Sequence, residues 1–249
     1  MTMPGPRPIC LFTDFGVGSP YVGQMHAVLA AQAPGHPVIP LLSDAPAWRP
    51  DLAAYLLPAL VRDIPADSVL ICVVDPGVGT DRAALALEAD GRWYVGPDNG
   101  LLALAARRAS RARLLRIDWR PARLSDSFHG RDLFAPVGAR LARGETLTPT
   151  PLDSGAMIGH DWPDDLPAVI YIDTYGNLLT GLRADSLPEA AVLEVGGIET
   201  RFARTFAEAP PGRPFWYRDS CGLVEVALDR ARAADRLGVG VGAEIRRLR

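Results

Sequence analysis

Apolar residues gather in short runs along the first half of the chain, and each run stops at a polar or glycine-rich turn. Ile9 to Phe12 and Val69 to Val74 are such runs, with the aliphatic side chains of strands covered on both faces. Between runs, apolar residues recur every three or four positions, as in Tyr21 to Ala33, which predicts a helix. This half therefore has an α/β pattern. The other predicted elements are the strands Val38 to Leu42, Ala83 to Leu87 and Trp93 to Val95, and the helices Asp51 to Leu57, Leu101 to Arg108 and Asp132 to Leu141.

The pattern changes in the second half. Thr148 to Asp165 is rich in proline, glycine and acidic residues, and short apolar runs separated by turn residues follow it. Such spacing is typical of a small antiparallel, barrel-like β domain. We predict an N-terminal domain over residues 1–158 and a C-terminal β domain over residues 159–249, with a helix confined to Asp229 to Leu237. The predicted strands are Ala168 to Asp173, Leu178 to Leu182, Ala191 to Val195, Thr200 to Ala203, Pro214 to Tyr217, Leu223 to Val226 and Ala243 to Arg247.

Carboxylates stand where several predicted strands end. Asp75 follows the run at Val69 and opens a turn of proline and glycine, and Asp14, Asp98 and Asp173 repeat this arrangement. Aspartate also caps turns and helices, and Arg82 could simply pair with Asp75 at the surface. The carboxyl ends of strands are, however, where ligands bind in open α/β sheets. The repetition therefore favours a ligand site at this edge.

The composition of the chain argues against several classes of function. The chain has 249 residues, 48% of them hydrophobic, and a net charge of −3, so charge provides no argument for nucleic acid or an acidic membrane surface. All 26 basic residues are arginine, which excludes a lysine Schiff base and a phosphate loop of the Walker type. The three cysteines lie far apart, and neither a signal peptide nor a membrane span is recognisable. We predict a cytoplasmic protein with no metal site.

The residues alone do not decide which kind of chemistry the site performs. His129 is followed by a glycine and lies near further charged residues, and Trp48 is either a packed side chain or a flat surface for a ring-shaped ligand. A metallohydrolase could use the aspartates and His129, although no HExxH motif occurs. GxSxG and GxGxxG are also missing. The remaining candidate is an organic ligand whose ribose hydroxyls donate hydrogen bonds to carboxylates.

Seven motifs in order carry a family resemblance. They are LFTDFG, YVGQM, VVDPGVGT, GPDNG, SFHGRDLFAP, IDTYGNLLT and DSCGLVEVA. Together they resemble the S-adenosyl-L-methionine (SAM) hydroxide adenosyltransferase family, relatives of the fluorinating and chlorinating enzymes that use the same substrate. The resemblance implies an N-terminal Rossmann-like α/β domain with a mostly parallel sheet and a smaller C-terminal antiparallel, barrel-like β domain. It also implies a homotrimer, with the ligand between the N-terminal domain of one subunit and the C-terminal domain of the next.

The same resemblance implies hydrolysis of SAM at C5′ to adenosine and L-methionine, without a cofactor. The family's catalytic residues fall on Asp75, Arg82 and His129. Because the halogenating relatives lack this aspartate, water is favoured over halide as the nucleophile. For substrate binding, the resemblance implies Asp14 for the ribose hydroxyls, Trp48 and Tyr175 beside the ligand, Asn177 at the adenine edge, and Asp173 and Ser220 at the amino-acid end.

Three positions depart from the family pattern. Ser19 replaces an acidic residue, His26 replaces a lysine, and Pro40 to Ser43 replaces an Asp-x-x-His motif. These changes bear on how the methionine portion is held. Three alternatives therefore stay open: a halide-dependent nucleoside variant of the same site, a non-catalytic protein that binds adenosine or SAM, and a metal-dependent hydrolase.

Overall fold

The structure is a computed structural model that describes residues 5–147 and 150–248. It divides into two compact units, Met1–Trp162 and Pro163–Arg249. The domain boundary predicted after residue 158 stays a prediction, and residues 148 and 149 of the predicted linking segment lie outside the described residues. Each unit contains one seven-stranded sheet.

The first unit combines its sheet with helices, as the sequence predicts. The strand order is β2-β1-β3-β5-β4-β6-β7. A π-helical turn, Gly130–Phe134, leads directly into the fourth helix. The strands are β1 (Ile9–Thr13), β2 (Val38–Leu42), β3 (Val69–Val73), β4 (Ala84–Ala89), β5 (Arg92–Pro97), β6 (Ala112–Arg116) and β7 (Thr150–Leu152), and the helices are α1 (Pro20–Gln32), α2 (Pro50–Leu60), α3 (Ala103–Arg108) and α4 (Ala135–Ala142).

This sheet is mixed, which corrects the expectation of a mostly parallel one. Strands β2, β1, β3 and β5 pair in parallel, whereas β5, β4, β6 and β7 pair antiparallel. The physical reason is the tight turn between β4 and β5, where Asp90 and Gly91 both have positive φ. Two such residues form the turn of an antiparallel hairpin. Strands β6 and β7 were not predicted from the sequence.

Strand β3 lies in the core of the first unit. All five of its residues are buried, as predicted for a strand covered on both faces. Helix α4 packs closely on it, because a Cβ atom at Gly138 would lie 2.7 Å from the Cδ1 atom of Ile71. This packing holds the carboxyl end of β3, where Asp75 follows, on a rigid part of the unit.

The second unit confirms the predicted barrel-like β domain. Its strand order is β14-β10-β11-β12-β13-β9-β8, antiparallel except for the β11–β12 pair. A bridge between Ala168 and Glu244 joins the two ends of the sheet, and the Val169 amide donates to the Ala243 carbonyl at 2.9 Å. The strands are β8 (Leu166–Ile172), β9 (Leu178–Arg183), β10 (Val192–Val195), β11 (Ile198–Phe202), β12 (Phe215–Arg218), β13 (Leu223–Ala227) and β14 (Ile245–Arg247), with helix α5 (Ala233–Leu237).

Two details concern helices. Helix α5 begins at Ala233, later than the predicted start at Asp229, because Leu228 and Ala231 form a β-bridge. Across the described part of the chain, none of the helices has both the length and the apolar character that crossing a bilayer requires.

Candidate functional site

Asp14 and Asp75 lie at the carboxyl ends of neighbouring strands. Thr13, the last residue of β1, is in register with Val73, the last residue of β3. Parallel strands bring their carboxyl ends to the same edge of a sheet. Both aspartates line one cleft, of about 240 Å³, within the first unit. The structure therefore brings these two carboxylates together at the edge where the sequence places them, and their role in ligand binding stays a prediction.

Asp75 and Arg82 form a bidentate ion pair. The Arg82 Nε atom donates to Asp75 Oδ1 at 2.7 Å, and Nη2 donates to Oδ2. The side chains are 3% and 8% exposed respectively, so the pair is shielded from solvent. The guanidinium also lies 5.5 Å from the centroid of the Phe134 ring. Because fork-to-fork geometry and burial restrict both groups, the pair is a rigid element and not a loose surface contact.

The turn between these two residues depends on Gly79. Its φ is +83°, and a Cβ atom there would lie 2.5 Å from the carbonyl oxygen of Asp126. Only glycine accepts both the conformation and this close approach. The turn therefore brings Arg82 back to Asp75 while it packs against the segment that precedes His129.

His129 completes this cluster. Its Nδ1 atom lies 3.1 Å from Nη2 of Arg82. A guanidinium can only donate, so Nδ1 must accept and the neutral ring carries its hydrogen on Nε2. Burial, and then the positive charge of Arg82, lower the pKa of His129. Geometry and electrostatics both favour the neutral imidazole.

The π-helical turn starts immediately after His129. The Ala135 amide donates to the Gly130 carbonyl, five residues earlier, and such turns are frequent at functional sites. A Cβ atom at Gly130 would lie 3.2 Å from the rings of both Phe15 and Phe128. Glycine at this position thus lets the backbone that carries His129 approach the aromatic wall of the cleft.

Asp14 and Trp48 form another part of the same cleft. The Trp48 amide donates to Asp14 Oδ2 at 3.0 Å. Trp48 has a φ of +60°, which is unusual for a non-glycine residue, and 76% of its surface is exposed. Burial raises the pKa of Asp14. The ring of Trp48 is therefore not a packed core residue, and the alternative of a flat ligand surface is the one that its exposure supports.

A larger cleft, of about 740 Å³, belongs to the second unit. Asp173, Tyr175 and Asn177 line it, and Tyr175 is 77% exposed. The Asn177 amide and Nδ2 donate to the two carboxylate oxygens of Asp173, at 2.8 and 3.1 Å. Ser220 is exposed in the turn after β12 and does not line this cleft. The structure thus groups three of the four predicted ligand residues of this unit.

Glu225 and Tyr217 also line this cleft, and neither was predicted from the sequence. The Tyr217 hydroxyl donates to Glu225 Oε1 at 2.5 Å. A signal was available, because Glu225 is the carboxylate inside the apolar run of β13. The aromatic wall of the first cleft, formed by Phe15, Tyr21 and Phe128, was not predicted either.

Asp98 and its neighbour have structural tasks. Asp98 Oδ1 accepts a hydrogen bond from the Ile158 amide at 3.0 Å, and Asp98 is not among the residues that line the first cleft. Asn99 Nδ2 donates to the carbonyl of Val74 at 2.8 Å, and its Oδ1 accepts from the Leu101 amide. Asn99 therefore anchors the backbone directly before Asp75.

Two of the departures from the family pattern, at Ser19 and Pro40, have local explanations. Ser19 caps helix α1, its side chain accepting from the Tyr21 amide at 3.3 Å. Pro40 lies in β2, an edge strand, where the missing amide hydrogen is tolerated.

Within residues 5–147 and 150–248, no group of three or more His, Cys, Asp or Glu side chains is arranged to hold a metal ion. Independence from metals and cofactors stays a prediction.

The sequence of this chain matches the two domain models and several members of one protein family. Residues 9–150 match the SAM hydroxide adenosyltransferase N-terminal domain, and residues 167–246 match the corresponding C-terminal domain. The chain is 41% identical to the (R)-S-adenosyl-L-methionine hydrolase of Thermus thermophilus, over 97% of this chain and 100% of the relative. It is also 41% identical to the enzyme of the same name from Salinispora arenicola, over 96% of each chain.

Solved structures agree with these sequence matches. An uncharacterized conserved protein from Thermotoga maritima superimposes with a TM-score of 0.86 at 29% identity, over 97% of this chain and 100% of that one. A conserved hypothetical protein from Thermus thermophilus superimposes with a TM-score of 0.77 at 38% identity, with the same coverage. Both domain matches occur in order and together cover most of the chain, which confirms the resemblance seen in the motifs. The chain belongs to the SAM hydroxide adenosyltransferase family.

Proposed function

We propose that this protein hydrolyses S-adenosyl-L-methionine by attack of water at C5′ and releases adenosine and L-methionine. A bond forms between the water oxygen and C5′ while the C5′–S bond breaks. The electron pair of that bond goes to sulfur, which becomes the neutral thioether of methionine. One water proton is released. Because a sulfonium is already a good leaving group, the site has mainly to position and activate one water molecule.

The observation that carries this proposal is the buried contact chain from Asp75 through Arg82 to His129. Arg82 occupies one lone pair of each Asp75 oxygen, and each oxygen retains another that can accept from water. Asp75 is thus the proposed acceptor of the water proton. General-base assistance of this kind contributes about 10² to 10⁴ in rate.

His129 has a different proposed task. Since its Nδ1 atom accepts from Arg82, the neutral ring offers Nε2–H as a donor. A hydrogen-bond donor can hold the water molecule so that a lone pair of the water oxygen points at C5′. It cannot also remove a proton from that water. We assign deprotonation to Asp75, orientation to His129, and the alignment of both to Arg82.

The substrate contacts implied by the resemblance remain part of the proposal. Asp14 Oδ2 already accepts from the Trp48 amide, and its remaining acceptor positions suit the ribose hydroxyls. The exposed rings of Trp48 and Tyr175 would flank the ligand. Asn177 would contact the adenine, and Asp173 and Ser220 the amino-acid end.

We further propose that the protein is a homotrimer whose site is shared between subunits. The cleft of the first unit, about 240 Å³, is smaller than the roughly 300 to 1,000 Å³ of typical small-molecule sites. Trp48, which lines it, is 76% exposed, and Val17, two residues after Phe15 of the same cleft, is 81% exposed. A second copy that contributes its C-terminal unit would both enlarge the cleft and cover these residues.

The direct test is incubation of the protein with SAM in water enriched in ¹⁸O. The proposal expects adenosine and methionine, with the label in the 5′-hydroxyl of adenosine because C5′ is attacked. Asp75→Asn, which keeps the size and one acceptor, is expected to lower kcat by about 10² or more. The experiment is repeated with and without chloride, and with a chelator.

Each alternative has a distinct outcome in this experiment. Chloride-dependent formation of 5′-chloroadenosine would identify a halide-using variant, and loss of activity with the chelator would identify a metal-dependent hydrolase. Tight binding of SAM in calorimetry, with no methionine released over hours, would identify a non-catalytic binding protein. Wild-type turnover in Asp75→Asn would remove the assigned base.

A further inference from the structure

A buried acid in the second unit has no part in the hydrolysis described above. Glu225 lies in the middle of β13 and is 6% exposed. Val224 and Val226, its neighbours, point into the barrel core, so strand alternation places Glu225 on the other face. There it lines the 740 Å³ cleft. A carboxylate is costly to bury unless its oxygens are bonded, so its partners indicate what it does.

The first partner of Glu225 is Tyr217. The two residues are directly paired across β12 and β13, and the hydroxyl donates to Oε1 at 2.5 Å. The Tyr217 ring is held in turn by an edge-on contact with Phe206, with centroids 5.5 Å apart. Burial raises the pKa of Glu225 to about 7, consistent with a carboxyl that water reaches poorly. Tyr217 therefore fixes one oxygen of Glu225.

The second partner is the side chain of Asn177, which lines the same cleft and is 7% exposed, and whose hydrogen bonding to Glu225 lowers the pKa of that carboxyl against the effect of burial. The amide nitrogen Nδ2 also donates to Asp173 Oδ2 at 3.1 Å. Ionised carboxylates only accept hydrogen bonds. The nitrogen of the Asn177 amide must therefore face the two acids, and its oxygen must face away from them.

We propose that Glu225, held by Tyr217, is a positioning residue that fixes the Asn177 amide so that its oxygen is presented to the ligand. An oxygen at this place accepts from a purine with a donor at position 6 and is unpaired or repelled by a purine with an acceptor there. The cleft thus selects a 6-amino purine over a 6-oxo purine. The inference rests on the proposed function, which supplies the purine ligand.

The test measures the binding of adenosine and inosine by calorimetry at pH 8, where Glu225 is ionised. Wild type is expected to bind adenosine at least about tenfold more tightly than inosine, because the 6-oxo group leaves the amide oxygen unpaired. In Glu225→Gln, a single amide oxygen has to accept from both the Tyr217 hydroxyl and the Asn177 amide nitrogen. We therefore expect adenosine affinity to fall about tenfold and the preference for adenosine over inosine nearly to disappear. Glu194→Gln is the matched control, since Glu194 of β10 pairs with Arg246 of β14, outside this cleft.

A second variant keeps the inference testable if Glu225→Gln does not fold. Tyr217→Phe removes the hydroxyl and preserves the ring contact with Phe206. It is expected to reduce the preference for adenosine by a smaller factor. With SAM as substrate, both variants are expected to raise KM and to change kcat by less than about twofold, because Glu225 does not touch the reacting atoms.

The outcomes separate this inference from the proposed function. An unchanged adenosine preference in folded Glu225→Gln would overturn the inference and leave the hydrolase proposal standing. Equal losses for both nucleosides, together with a lower melting temperature, would show a merely structural role and would also overturn it. If wild type bound neither adenosine nor SAM, the proposed function itself would fail.

Discussion

Nη2 of Arg82 lies 3.1 Å from Nδ1 of His129, so two basic side chains are hydrogen-bonded to each other. The contact is possible because the imidazole is neutral and accepts, while Asp75 compensates the guanidinium charge. The cluster as a whole carries no net charge. A positively charged sulfonium can therefore approach without electrostatic repulsion.

The two nitrogens of His129 can be tested separately. His129→Asn places an amide oxygen near the Nδ1 position and preserves acceptance from Arg82, whereas His129→Gln places an amide nitrogen near Nε2 and preserves the donor. If orientation of water by Nε2–H is the essential task, His129→Gln retains more activity than His129→Asn. We expect His129→Asn to lower kcat by about 10² or more.

Steady-state kinetics with SAM provides this measurement, and circular dichroism checks that both variants fold. Equal losses in the two variants would assign the role to the whole ring. A larger loss in His129→Gln would instead identify the bond to Arg82 as the essential feature.

As pH falls, activity is expected to decline at a lower pH than the ordinary pKa of histidine would give. The pKa of His129 is lowered from 6.5 by burial and by Arg82, so the neutral ring persists below that pH. The acid limb of kcat, which changes at Glu225 are expected to leave nearly unaltered, should therefore have an apparent pKa below 6.5. An acid limb above 6.5 would contradict the neutral imidazole.

The same shift has a consequence for stability. A lowered pKa means that the unfolded chain binds the proton of His129 more readily, so protonation favours unfolding as pH falls below 6.5. Above that pH the group has no effect on the free energy of unfolding. Urea denaturation at pH 7.5 and at pH 5.5 should show a larger loss in wild type than in His129→Gln. Glu225, whose pKa is raised to about 7, contributes to the free energy of unfolding in the opposite direction. Because Glu225 is present in both proteins, its contribution cancels when wild type is compared with His129→Gln.

Asn99 is expected to influence catalysis without touching the substrate. Its Nδ2 atom anchors the Val74 carbonyl, one residue before Asp75. Asn99→Asp keeps the acceptor for the Leu101 amide but removes this donor. Since small displacements of a reacting group are costly, we expect kcat to fall about tenfold to a hundredfold, with a smaller change in KM.

Asp98→Asn is the matched control for this prediction. It preserves an acceptor for the Ile158 amide and lies outside the cleft, so near-wild-type kinetics are expected. A kcat for Asn99→Asp equal to that of the control would show that the anchor does not position Asp75.

A shared site predicts complementation between inactive chains. Asp75→Asn disables the proposed N-terminal half of the site, and Asn177→Ala disables the proposed C-terminal half. When the two variants are unfolded together and refolded as mixed trimers, some sites combine two intact halves and activity should return. Native mass spectrometry would verify the mixing, and mixed trimers without activity would contradict the intersubunit arrangement.

Local sequence was sufficient for much of the fold. The run at Val69 predicted a doubly covered strand, and all of β3 is buried. Asp90 and Gly91 separate the predicted strands Ala83 to Leu87 and Trp93 to Val95, and both residues have the positive φ of hairpin turn residues. These features depend on side-chain periodicity and on the conformations that a few turn residues allow, so they can be read without knowledge of distant contacts.

Other features depended on which distant strands become neighbours. The sheet is mixed because β4 pairs with both β5 and β6, and the basic residues of Ala112–Arg116 gave too weak a strand signal to show this. Likewise, Glu225 stood in a recognised motif, but its tie to Tyr217 follows from the register of β12 and β13.

The amino-acid sequence by itself determined the order of the motifs, the nature of both domains and the residues that stand at strand ends. Only the tertiary structure decided that Arg82 bridges Asp75 and His129, and therefore which nitrogen of the imidazole carries the hydrogen. The physical reason is that a tautomer depends on a contact within about 3 Å, between residues far apart in the chain. Periodicity and turn chemistry act over a few residues, whereas this contact exists only after β3 and the π-helical turn have packed together.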